Sequence, residues 1–113
     1  MHGESDTTYN VSTDTYKSYL EEWQSDFDTD IKAVTKQQDD VKFFLSQTDY
    51  AAYEGKDAYV ANADYLKAIE EPTKFKLVAP QYIYPIIYVS SHMNPSGYRI
   101  MGEYFGHAIY KDF

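Results

Sequence analysis

The chain has 113 residues, no cysteine and a formal net charge of −8, and 43% of its residues are hydrophobic. That length suits a single domain spanning 1–113, able to bury roughly 60–70% of its unfolded surface, and the apolar content excludes disorder for most of it. The missing cysteines exclude disulfides, zinc-thiolate centres and thiol nucleophiles. No apolar run approaches the roughly 18–20 residues of a membrane span, so the chain reads as soluble, and either cytoplasmic or secreted if Met1-His2-Gly3 replaces a removed leader.

Residues 1–11 are polar and without period, which reads as a flexible lead-in. Ser12-Thr13-Asp14 then offers N-cap chemistry ahead of Tyr16, Leu20, Trp23, Phe27, Ile31 and Val34. Steps of three and four fit only a helix, which this spacing predicts over 14–37. Asp39 and Asp40 are placed to cap a second, shorter helix whose apolar face is Val41, Phe44 and Leu45 and which fades over 47–53 before Gly55. A third helix is expected over 57–70, with Tyr59, Ala63, Leu66 and Ile69 in phase, until Pro72 bars its continuation.

After Pro72 the composition turns to Tyr, Ile, Val and Phe. Residues 75–79, 82–90, 98–101 and 103–110 read as strands between turn residues, with Asn94-Pro95-Ser96-Gly97 as a turn. The expected fold class is therefore α+β, with about three N-terminal helices packed on a small C-terminal antiparallel sheet of three or four strands.

Charge is divided unevenly. Residues 1–57 hold 13 acids and five lysines, the whole of the −8, while residues 58–113 balance five against five. This argues against direct nucleic-acid binding, which needs clustered Lys and Arg, and against an anionic membrane. On the long helix Glu22, Asp26 and Asp30 repeat at i, i+4 and i+8, flanked by Glu21 and Asp28. Like charges at that spacing repel by a few tenths of a kcal/mol per pair. Such a column is either a solvated face or a docking surface for a basic partner. Asp26-x-Asp28-x-Asp30 is only a fragment of a calcium loop, because Ile31 and Gln37 stand where its Gly and Glu belong.

A second candidate surface is tyrosine-rich. On a strand over 82–90, alternation puts Tyr82, Tyr84 and Tyr88 on one face and Ile83, Pro85, Ile87 and Val89 on the other. The aliphatic face is expected to bury Trp23, and the tyrosine face to be covered by the chain itself or to serve as an interface, including one between two copies. Arg99, Glu103, His92 and His107 form a third, polar group. On strands, however, Glu103 and His107 would stand about 13 Å apart, too far for joint chemistry. No phosphate loop or nucleophile elbow occurs, so neither a catalytic site nor a cofactor or metal is expected.

These observations together favour a non-enzymatic interaction module, an acidic inhibitor or adaptor that docks a basic protein surface. The alternative is a small-ligand-binding domain with a groove between the sheet and the long helix, lined by Trp23, Tyr84 and Tyr88. A small enzyme using His107 and Glu103 is a third reading.

Overall fold

A computed structural model describes residues 3–85 and 92–112. In chain order they form α1 (Glu4–Thr8), α2 (Thr13–Thr35), β1 (Phe43–Gln47), α3 (Tyr50–Glu54), α4 (Tyr59–Glu70), β2 (Phe75–Pro80), a 3-10 turn (Gln81–Ile83) and α5 (Pro95–Asp112). Among the described residues the fold is α+β, with five helices and a two-stranded sheet whose strands run parallel, and the expected antiparallel sheet of three or four strands is not formed. Among the described residues no helix is long and apolar enough to cross a membrane.

Helix α2 forms where its periodicity placed it. Ser12 caps it, its hydroxyl accepting the Thr15 N–H at 3.2 Å, and Lys36 ends it in the left-handed conformation. The segment after it departs from expectation. Residues 43–47 are a strand rather than a helix because α2 captures the chain just before them. Val41 donates its N–H to Asp28 Oδ1 at 2.8 Å, and its carbonyl accepts from Gln24 Nε2 at 3.0 Å. With both backbone groups held by side chains, Val41 has none left for a helical ladder. Phe43 then donates to the Lys74 carbonyl at 2.7 Å, and the parallel ladder follows, with Phe43 opposite Phe75 and Leu45 opposite Leu77.

Parallel strands need a long crossover, and α3 with α4 supplies it. The segment read as a loose lead-in contributes α1, which packs on α3 and α4 and buries Thr7. Helix α4 begins at Tyr59, close to expectation, but is turned about its axis. Its buried residues are Val60, Ala61, Ala63, Asp64 and Lys67, whereas Tyr59 and Ile69 are exposed.

The largest correction is α5. Tyr98–Met101 and Glu103–Tyr110, read as strands, are one continuous helix. Asn94-Pro95-Ser96-Gly97 is its start rather than a turn. The Asn94 side chain accepts the Gly97 N–H at 2.9 Å, and Pro95 occupies the first helical position, where no N–H is needed. The β-forming residues of this segment also carry a helical rhythm, since Gly97, Ile100, Met101, Phe105, Ala108 and Asp112 are its least exposed positions. At its far end Asp112 bonds Lys42 and Lys76, one beside and one within the sheet.

Apolar side chains gather in two small cores. Tyr16, Leu20, Val60, Ala63 and Phe75 form the first, with Val11, Phe43 and Leu45 packed against it. Ala79, Tyr84 and Met93 form the second, flanked by Val78, Ile100 and Met101. Trp23 was expected to be buried against the 82–90 segment, of which residues 86–90 lie outside the described residues. It lies edge-on to Phe43 at 5.0 Å and to Phe27 at 6.0 Å, 39% exposed.

Gly97 is where the first turn of α5 crosses the chain closely. A Cβ there would meet the Pro85 carbonyl oxygen at 2.3 Å and Met93 Cβ at 2.9 Å, whereas at Gly102 and Gly106 it would meet nothing within 4 Å. Gly97→Ala is therefore expected to destabilise the protein by about 1–3 kcal/mol through overpacking. Gly102→Ala and Gly106→Ala should each stabilise it by about 0.5–1 kcal/mol, the helix-propensity gain. Denaturant midpoints of the three variants check this, and equal effects at all three positions would contradict the close approach.

Candidate functional site

The acids read together on the long helix separate into two groups. Glu21 and Asp28 are engaged within the chain. Glu21 Oε1 accepts from Lys67 Nζ at 2.7 Å, and Lys67, 0% exposed, also pairs with Glu71 and lies 5.0 Å from the centre of the Phe75 ring. Burial works against this ammonium, but the two carboxylates outweigh it and its pKa is raised. Asp28 holds Val41 and pairs with Lys32 at 2.8 Å. The Lys32 hydrogen bond first, then the Val41 N–H, hold its carboxyl below the usual range.

Glu22, Asp26 and Asp30 remain on the outside, all exposed. They border a second column at the same pitch. Tyr19, Trp23 and Phe27 are 47%, 39% and 45% exposed, and each has an acid three residues further on. Residues three apart on a helix are surface neighbours. The outer face of α2 is thus a strip of half-exposed aromatic rings edged by carboxylates. The sequence contains this pattern, but the aromatics read as core because their spacing is the core spacing.

Tyr82 and Tyr84 do not share the face of a strand. Tyr82 lies in the 3-10 turn and is 72% exposed, while Tyr84 just after it is 2% exposed and packs edge-on to Tyr104 at 5.8 Å. Tyr88 lies outside the described residues. Alternation along one strand cannot place these side chains, because residues 81–83 are not extended. Glu103 and His107 are one turn apart on α5 rather than 13 Å apart on a strand, and both are exposed. Among the described residues no group of three or more His, Asp or Glu is placed to hold a metal ion.

A groove of about 380 Å³ opens between α2, β1 and α5. It lies where the two cores fail to merge, since Tyr16, Leu20 and Leu45 on one side belong to the first and Met101 on the other belongs to the second. Of the residues named for the groove reading, Trp23 lines it, Tyr84 does not, and Tyr88 lies outside the described residues. Its walls are mainly apolar, with one exception that sequence reasoning missed. Asp64 of α4 lines the groove at 3% exposure.

Burial pushes the Asp64 carboxyl up to about 7, opposed by a backbone hydrogen bond at Thr48 and reinforced by the nearby Glu4. Burial, together with Asp64, Asp6 and Glu4, also raises the Tyr16 phenol well above its usual range. Asp49 is raised by burial too, and again Glu4 adds to it. An aspartate in the middle of a helix reads as a wet residue. The only sequence signal for its burial is its position one turn from Val60, on the face that also carries Lys67.

No protein-family model, curated protein or solved structure matches this chain.

A carboxyl with a raised folded-state pKa contributes stability in full below its unfolded value of 3.8, and that contribution is lost as pH rises through about 7. Asparagine mimics the neutral form at every pH. Asp64→Asn should therefore match the wild type near pH 4 and exceed its stability at pH 8 by up to roughly 4 kcal/mol. Unfolding free energies of both proteins across that range check this. A difference that does not change with pH would place the Asp64 carboxylate in water.

Proposed function

We propose that this protein is a non-enzymatic interaction module, an inhibitor or adaptor, whose helix α2 docks a basic segment of another protein. The observation that carries this reading is the double column on α2, Tyr19, Trp23 and Phe27 beside Glu22, Asp26 and Asp30. Aromatic faces and carboxylates in alternation suit lysine and arginine side chains. Their stems lie on the rings, their charges meet the acids, and the cation gains about 0.5–1 kcal/mol at each exposed ring. The net charge of −8 adds a field that draws a basic partner in and repels nucleic acid. Glu21 and Asp28, already spent on Lys67 and on Val41 with Lys32, have no part in the contact.

A synthetic helix of lysine and leucine at 3.6-residue spacing is a suitable probe, with its glutamate and leucine counterpart as control. The lysine peptide should bind and the glutamate peptide should not. Changing Glu22→Gln, Asp26→Asn and Asp30→Asn together should leave the fold intact and stabilise α2 by several tenths of a kcal/mol, because two like-charge pairs disappear. Association of the lysine peptide should slow, and its salt dependence should flatten. Capture from the native host with the wild type and the triple variant, at low and high salt, then identifies the partner. Unchanged affinity and salt dependence in the triple variant would reduce the acid column to a solvated face.

A further inference from the structure

The groove between the two cores has an ionisable carboxyl among its lining residues. Asp64 is almost wholly buried in its wall, and among the described residues no lysine or arginine pairs with it. Among the described residues the titratable groups that interact with it, Glu4 of α1 and the Tyr16 phenol of α2, supply no positive charge. Glu4 adds a second unmet demand, because its Oε1 is buried with no hydrogen-bond partner among the described residues. Buried carboxylates are stable when paired. By contrast, Lys67, one turn along the same helix, is given two carboxylates. In its charged form Asp64 has no cation to pair with among the described residues, and a cation would balance it.

The rest of the groove indicates what kind. Tyr16, Trp23, Phe44 and Phe105 supply aromatic walls, and a volume of about 380 Å³ falls within the range of small-molecule sites, roughly 300–1,000 Å³. Apolar walls with one placed charge are the usual composition of such sites, and aromatic faces favour a cation over an anion. We propose that the groove binds a small organic ammonium, its N–H groups donating to the Asp64 carboxylate and its aromatic or aliphatic body lying against Tyr16, Trp23, Phe44 and Phe105. This site is separate from the outer face of α2 and rests on different residues apart from Trp23, so either reading can fail without the other.

The test is calorimetric titration of the whole chain with 2-phenylethylamine and with its neutral isostere 2-phenylethanol. At pH 8 the amine should bind at least tenfold more tightly than the alcohol. Below pH 7 its affinity should fall about tenfold per unit, because Asp64 must lose a proton before it can pair, while the alcohol's affinity stays level. Asp64→Asn should bring the amine down to the alcohol's affinity and leave the alcohol unchanged. Met101→Trp, which fills the groove, should weaken both. The combined Glu22→Gln, Asp26→Asn and Asp30→Asn variant should bind the amine as the wild type does. Equal binding of amine and alcohol by the wild type would overturn the proposal, as would absence of binding at millimolar concentration. So would an amine preference that survives Asp64→Asn or disappears in the triple variant, since the ammonium would then sit on the outer acids. If Asp64→Asn does not fold, the wild-type pH profile of the amine against the alcohol decides the question.

Discussion

A lysine with no exposed surface ties α4 to α2 and to β2. Lys67 leaves α4 beneath α2, reaches Glu21 there and Glu71 on its own helix, and lies over Phe75 of β2. Removing one member of a fully buried pair costs about 3–5 kcal/mol, less where the carboxylates keep some contact with water, as both do here. Its geometric effect matters more than its energy. A buried ammonium tolerates few placements, so the pair fixes how α2 and α4 are turned against each other. That rotation decides which residues of each helix face inward.

Two consequences follow from that rotation. On α2 it brings Glu21 within reach of Lys67 and leaves Glu22, Asp26 and Asp30 exposed, with Tyr19, Trp23 and Phe27 half covered beside them. On α4 it carries Asp64 into the interior, because Asp64 lies three residues before Lys67 on the same face. One helix face thus holds a satisfied cation and, a turn away, an acid with none among the described residues. The placement of Asp64 is a cost that the fold bears in its charged form.

The small sheet explains why a groove remains. Two parallel strands cannot supply a face wide enough for α2, α4 and α5 together, so the apolar side chains collect in two clusters with a gap between them. The second cluster depends on α5, which is held at one end by the Asn94 cap and the close crossing of Gly97 over Pro85, and at the other by Asp112 with Lys42 and Lys76. Movement of α5 would therefore change the width of the groove directly, since Met101 and Phe105 form one of its walls.

Local pattern and local chemistry were enough to locate α2, α4 and β2, and to leave Glu22, Asp26 and Asp30 on a wet surface. Each rests on interactions within a few residues, such as the period of Tyr16 to Val34, the Ser12 cap or the bar at Pro72. Even within α4, the rotation about its axis was not legible, because Asp64 and Lys67 count as polar until their surroundings are known. Residues 43–47 became a strand only through Gln24 and Asp28, seventeen and thirteen residues upstream of Val41. Residues 95–112 carried both a strand composition and a helix rhythm, and α5 prevailed because its spaced apolar positions found the second core. The sequence alone thus determined which segments can be helical and where charge accumulates. The tertiary structure alone decided which face of each helix is buried, the parallel sense of the sheet and the meeting of Asp64 with the aromatic groove, because each of these depends on contacts between residues far apart in the chain.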